Sequence, residues 1–104
     1  MNDDYKKHLK QVKKYGWALR DVPEEHKTYE MCLESVKKCG YALEYVPMEH
    51  KTYELCLEAV EDSWSLEFVP EKHKTYELCM KAVKQFIGSL EFVPYDIKKI
   101  IDKL

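Results

Sequence analysis

The sequence HKTYELCLEAV, at residues 50–60, occurs three times in this chain with small changes. The earlier copy is HKTYEMCLESV at residues 26–36, and the later copy is HKTYELCMKAV at residues 73–83. A Val-Pro step precedes each copy and a fourth follows the last, so the valines stand at positions 22, 46, 69 and 93. These spacings of 24, 23 and 24 residues are a fixed period, which indicates a tandem array of small helical units.

Each unit predicts two helices. In the copy at residues 50–60, Tyr53, Cys56 and Val60 fall on one helical face. In each of the three copies, the threonine before the tyrosine is predicted to be the N-cap of the helix: Thr28, Thr52 and Thr75. A glutamate follows in the first turn of each helix. A second, shorter helix is predicted before each Val-Pro step, because proline disfavours the α conformation of the residue that precedes it. Gly40 is predicted to end the longer helix at its C′ position.

The two ends of the array depart from the repeat. Residues 5–15 are a more polar version of the long helix, as a terminal capping unit requires. After Pro94, Asp96 is predicted to cap a final helix with an apolar face (Ile97, Ile100, Ile101 and Leu104). The predicted fold is therefore all-α: a short α-solenoid of four tandem helix-pair repeats with a C-terminal capping helix, in one domain. The predicted boundaries are 4–23, 24–47, 48–70 and 71–94 for the units, and 95–104 for the capping helix.

Composition narrows the class of protein. With 104 residues, 45% hydrophobic and 35% charged, the chain is of a size and composition ordinary for one globular domain. The sequence has no basic-then-apolar leader and no apolar run of about 18 residues, so a cytoplasmic protein without a membrane anchor is expected. Cys32, Cys56 and Cys79 stand at one position in successive units. Neighbouring helices lie about 8–10 Å apart, too far for a disulfide, so reduced, packed thiols are expected.

Charge is distributed unevenly along the chain. The formal net charge is −2, but residues 1–20 carry +4, residues 21–80 carry −8 and residues 81–104 carry +2. An acidic middle with basic ends bears on partners and association rates rather than on the fold.

The repeat unit resembles a known family. Its pattern, V-P-x-x-H-K-T-Y-E-x-C-x-x-A-V-K-x-x-G, is similar to tandem helical repeats of bacteria and some large DNA viruses, a domain of unknown function. The resemblance covers residues 4–95. The chain differs from that family in two features. It has histidine (His26, His50 and His73) where the family more often has leucine, and its third unit is short. The resemblance implies the fold, and it implies no activity, cofactor or catalytic residue.

Histidine and cysteine recur together in each unit, and these are the ligands that zinc prefers. Each unit offers two ligands where a tetrahedral site needs four, and the units are too far apart to share them. Catalysis by a cysteine nucleophile is a second hypothesis, since Cys32, Cys56 and Cys79 fall early in their helices with a histidine nearby in the sequence. Leucine-flanked cysteines should point inward, where thiols are inert. No catalytic signature is present, so we expect a protein that is not an enzyme and carries no cofactor or metal.

Nucleic-acid binding is a further alternative. Helical repeats can read one base per unit, and Lys27, Lys51 and Lys74 each stand two residues before a tyrosine. The acidic middle of the array opposes phosphate binding, so these lysines are expected to be solvated. Any nucleic acid is expected at the basic ends.

The interpretation that accounts for most of these features is a non-enzymatic protein–protein interaction module, an adaptor or inhibitor that docks a partner on its exposed repeat face. Aromatic side chains recur at two positions per unit, and helical spacing predicts that most of them are core. The first of these positions lies at a helix start, where an edge of the ring is exposed. A homodimer formed through the apolar face of the final helix is a further alternative. The partner-binding candidates are Trp17, Tyr41, Trp64, His26, His50, His73 and Glu54.

Overall fold

The computed structural model describes residues 3–61 and 64–103 of the chain. Five α-helices follow one another: α1 (Asp3–Lys14), α2 (Tyr29–Lys38), α3 (Tyr53–Ala59), α4 (Tyr76–Gln85) and α5 (Tyr95–Asp102). Seven 3-10 helices connect them: Gly16–Asp21, Glu24–His26, Gly40–Tyr45, Met48–His50, Leu66–Phe68, Glu71–His73 and Ile87–Phe92. The described residues contain no strand, so the all-α prediction is confirmed.

The long helix of each full unit begins where the sequence predicts. The side chains of Thr28, Thr52 and Thr75 cap α2, α3 and α4. Each Oγ1 accepts a hydrogen bond from the backbone N–H three residues later, at 3.2, 3.2 and 3.1 Å respectively. This bond satisfies one of the backbone donors that a helix leaves unpaired in its first turn.

The second helix of each unit is a 3-10 helix rather than an α-helix. Gly16–Asp21 and Gly40–Tyr45 each have six residues and end at a valine with extended backbone, immediately before proline. A segment this short, stopped by the restriction that proline places on the preceding residue, is suited to the tighter i to i+3 hydrogen bonding.

Of two predictions about helix ends, one is wrong and one is confirmed. Asp96 does not cap α5; the N-cap is Pro94, which provides no side-chain hydrogen bond, and Asp96 lies inside the first turn. Gly40 follows the C-cap of α2 as predicted, but none of the three glycines, all within the described residues, has a positive φ. In the short third unit α3 has seven residues where α2 and α4 have ten; the turn expected to differ there includes residues 62 and 63, which lie outside the described residues.

The units stack in sequence to form a rod of 53 × 22 × 17 Å. One continuous core runs along it, built from the same positions in successive units and closed at one end by Val12 of α1. Ile97 and Ile101 of α5 pack against this core, whereas Ile100 is exposed. Leu104 lies outside the described residues. The prediction of stacked helical repeats is therefore confirmed.

Candidate interaction surface

The HKTY sequence forms the joints between units. One tyrosine in each of the first three long helices has its hydroxyl within hydrogen-bond distance of the capping threonine of the following unit: Tyr5 with Thr28 at 2.7 Å, Tyr29 with Thr52 at 3.0 Å, and Tyr53 with Thr75 at 2.9 Å. Threonine Oγ1 thus serves two purposes, since it also accepts the N-cap hydrogen bond. Stacking of the units therefore accounts for the recurrence of tyrosine and threonine at these two positions of the repeat.

The candidate histidines lie at the same joints. The rings of His26, His50 and His73 pack against the tyrosine rings of the preceding unit, with centroids 6.4, 6.2 and 6.1 Å apart in T-shaped geometry. All three are half-buried. The structure therefore gives the histidines a packing role, and their role in binding a partner stays a prediction.

The repeated lysines each connect the beginning of a unit to its end. Nζ of Lys27, Lys51 and Lys74 donates to a backbone carbonyl at the end of the unit, that of Tyr45 at 3.0 Å, Phe68 at 3.1 Å and Phe92 at 2.9 Å respectively. Each of these carbonyls ends a 3-10 helix, where a positive charge is favourable. The expectation that these lysines are solvated is wrong, since Lys27 is buried and the others are half-buried.

One of the three lysines lacks the acidic neighbour of the other two. Lys27 pairs with Glu24 at 2.8 Å and Lys74 with Glu71 at 3.0 Å. The position equivalent to these glutamates holds Met48 in the unit of Lys51. Burial lowers the pKa of the Lys51 ammonium from its ordinary value.

The cysteines are packing groups, as predicted. Cys32, Cys56 and Cys79 are buried and all four cysteines are free. Burial raises the pKa of Cys32 to about 12 and the pKa values of Cys56 and Cys79 to about 11, so these thiols stay protonated at neutral pH. Among the described residues, no group of three or more histidine, cysteine or acidic side chains is placed to hold a metal ion.

The aromatic ladder, Trp17, Tyr41 and Trp64, occupies one position in three successive units. These residues are 52%, 45% and 53% exposed, in agreement with the exposed edge expected at this helix start. The second set, Tyr45, Phe68 and Phe92, packs against the core as predicted. The fourth position of the ladder is Gly88, and the indole of Trp64 lies directly over it.

Each member of the aromatic ladder is supported by another ring. Tyr15 lies 5.6 Å from Trp17, Phe68 lies 5.3 Å from Tyr41, and Phe86 lies 5.5 Å from Trp64, measured between centroids. The exposed rings are therefore held in place before any partner arrives, which reduces the entropy lost on binding. Glu54, the last candidate, is exposed in the first turn of α3.

A groove of about 430 Å³ lies at the first unit, and we refer to it as the N-terminal groove. The charged and aromatic residues that line it are Lys7, Lys10, Lys14, Tyr15, Trp17 and Asp21. A shallower depression of about 630 Å³ lies on α4, beside Tyr76, Met80 and Lys84. The sequence indicated the basic end but gave no signal that Tyr15 and Trp17 would line a groove with its lysines.

The comparison with protein-family models gives three overlapping matches, at residues 9–51, 28–74 and 52–98, to a domain of unknown function, DUF4116. Together they run through most of the chain. The protein belongs to this family. The overlapping DUF4116 matches follow the internal repeat, so the resemblance inferred from the sequence is confirmed.

Two further comparisons give no match to this DUF4116 protein, one with the curated proteins and one with the solved structures. None of the helices in residues 3–61 and 64–103 has the length and hydropathy that crossing a membrane requires.

Proposed function

We propose that this DUF4116 protein is a non-enzymatic interaction module, an adaptor or inhibitor that docks a protein partner along its exposed repeat face. The observation that carries the proposal is the aromatic ladder. Three large aromatic side chains, each about half exposed, recur at one position along a rod 53 Å long. Tryptophan and tyrosine are the residue types most often found as energetic anchors of protein interfaces.

Stacking does not explain the exposure of these rings. The tyrosine–threonine joints between units lie at other positions of the repeat. The rings of Tyr41 and Trp64 also contact the following unit, through Phe68 and Phe86, and still remain about half exposed. A ring that served only the fold would gain more by being covered, because each exposed apolar surface forgoes its burial free energy. Contiguous exposed aromatic surface marks interaction sites in soluble proteins.

The proposal is tested by affinity capture from a lysate of the source organism, using the intact chain and the Trp64→Ala and Tyr41→Ala variants. Tyr95→Ala is the matched control, because Tyr95 is an exposed aromatic residue outside the aromatic ladder. We expect a stoichiometric protein partner that the chain and the control retain and that both ladder variants lose. Circular dichroism of each variant verifies that the array stays folded.

Two results would contradict the proposal. One is a partner retained equally by all four proteins, which places the contact elsewhere. The other is recovery of nucleic acid alone, released by salt, which favours the alternative that the basic ends bind phosphate.

A further inference from the structure

The N-terminal groove lies on the face of α1 where a preceding unit would stack. Lys7 and Gln11 are equivalent to Met31 and Ser35 of α2, both of which are buried against the first unit. Ser35 Oγ donates to the carbonyl of Gly16 across that joint, at 2.6 Å. In the first unit the equivalent residues Lys7 and Gln11 are exposed, and stacking contacts do not account for their side chains.

This face of α1 combines positive charge with aromatic surface. Lys7, Lys10 and Lys14 follow an i, i+3, i+7 pattern, which places them on one side of α1. Beside them Tyr15 and Trp17 are 49% and 52% exposed, and Nζ of Lys14 lies 5.4 Å from the centre of the Tyr15 ring. A cap that served only solubility needs polar groups, and it does not need two half-exposed rings among them.

Tyr15 differs from its equivalents in its exposure. The residue before the six-residue 3-10 helix is Cys39 in the second unit and Phe86 in the fourth, both half-buried, whereas Tyr15 in the first unit is 49% exposed. The aromatic ladder alone would place one exposed ring in this unit. The groove has two, in contact with each other at 5.6 Å.

We propose that the N-terminal groove binds an acidic peptide segment of the protein partner, with carboxylates on the lysines of α1 and an apolar side chain against Tyr15 and Trp17. The inference rests on the proposed function, because the segment is assigned to the partner that the aromatic ladder docks. Trp17 belongs to both surfaces, so a partner that contacts Trp17 of the ladder also lies at the groove.

Charge favours a peptide over a nucleic acid. Residues 1–20 carry +4, but residues 21–80 carry −8, and Asp21 lies at the edge of the groove. A nucleic acid strand that extends beyond the groove brings further phosphates toward like charge, which opposes binding. A short acidic segment places its few carboxylates within the groove and avoids this repulsion.

The test uses the intact chain with Trp64→Phe, which leaves Trp17 as the only tryptophan and its fluorescence as the readout. The probe is a peptide of about ten residues with five glutamates and one phenylalanine; a peptide with glutamine in place of glutamate is its control. We expect saturable quenching or enhancement of Trp17 emission by the acidic peptide alone, weakened by salt.

Two double variants with the same change of net charge locate the site. Lys7→Glu/Lys14→Glu reverses two charges in the groove and is expected to weaken binding about ten-fold. Lys37→Glu/Lys38→Glu reverses two exposed charges at the end of α2, outside the groove, and is expected to change binding less than about two-fold.

Three outcomes would overturn the inference: no saturation at about 1 mM acidic peptide, equal weakening by both double variants, or tighter binding of a ten-nucleotide single strand than of the peptide. Its failure is distinguishable from that of the proposed function. A captured partner that Trp64→Ala loses but Lys7→Glu/Lys14→Glu retains removes the groove and leaves the interaction module intact.

Discussion

The hydroxyl of Tyr29 lies 3.0 Å from Oγ1 of Thr52, the atom that also caps α3. One side-chain oxygen therefore joins two units and starts a helix. The same arrangement links Tyr5 with Thr28 and Tyr53 with Thr75. Because a single hydroxyl supplies both interactions, helix initiation and unit stacking are chemically coupled in this protein.

That coupling gives a first prediction. Thr52→Val keeps the size of the side chain but removes the hydroxyl, and is expected to lower the free energy of unfolding by about 2 kcal/mol, the cap and the joint together. Thr52→Ser retains the oxygen and is expected to cost less than about 1 kcal/mol. Urea unfolding followed by circular dichroism measures both. Tyr29→Phe, which removes only the joint, should fall between them; a Thr52→Val cost no larger than that of Tyr29→Phe would contradict the coupling.

A second prediction concerns Lys51, which has methionine at the position where Lys27 and Lys74 have a paired glutamate. Met48→Glu recreates in the third unit the ion pair of Lys27 with Glu24, and is expected to raise the free energy of unfolding by about 0.5–1 kcal/mol at pH 7. The ion pair needs the ionised carboxylate, so the gain should be smaller at pH 3, where the carboxyl is protonated, than at pH 7. Urea midpoints at pH 7 and pH 3 measure this difference.

The lowered pKa of Lys51 adds a signature at high pH. Because the folded state disfavours the charged ammonium, stability from this group rises as pH approaches 10.5. Met48→Glu should reduce that rise. Met48→Gln, with the same length and no charge, is the control, and an equal gain from both variants would attribute the effect to removal of exposed methionine.

Glycine packing gives a third prediction. A Cβ at Gly16 would collide with the Ser35 carbonyl oxygen and would lie 2.8 Å from Cys39 Cβ. Gly16→Ala is therefore expected to cost about 1–3 kcal/mol, because backbone must move. A Cβ at Gly88 would lie 2.8 Å from the outer edge of the Trp64 ring, an exposed side chain rather than backbone, so Gly88→Ala should cost less than about 1 kcal/mol. Thermal unfolding compares the two, and a reversed order would contradict the packing argument.

The buried thiols give a fourth prediction. Their pKa values are raised, so the stability they contribute is present below the unfolded pKa and declines as pH rises from 9 towards 11 or 12. Cys79→Ala should reduce the loss of stability between pH 8 and pH 10.5 by about 1–2 kcal/mol relative to the unmodified chain. Urea unfolding across this range measures the slope, and an unchanged slope would count against a buried, protonated Cys79.

The helices that begin after Thr28, Thr52 and Thr75 are predictable because an N-cap is a local signal, carried by one side chain and its own helix. The burial of the repeated lysines is not, because lysine is usually solvated and the carbonyl each one binds lies 17 or 18 residues away. A signal was available. Lysine recurs at 27, 51 and 74, whereas the exposed position two residues earlier changes from Glu25 and Glu49 to Lys72.

The candidate surface was predicted in part. The sequence indicated one aromatic position per unit and a helix start at which it would be exposed, but it could not separate that position from the core aromatics. Exposure depends on where the next unit lies, and that is set by the joints. Tyr15 was not a candidate, because its partner Trp17 and the lysines of α1 meet only once the chain turns at Gly16.

The joint before α5 differs in composition from the others, and this difference has a mechanical consequence. Ile97 stands where the other units have histidine, and Lys99 stands where they have the capping threonine. If the two ends of the chain were pulled apart in an optical trap, α5 should detach first, at low force. The joints built from tyrosine and threonine should then give way at forces close to one another, so that the extension trace reports the repeats as successive steps.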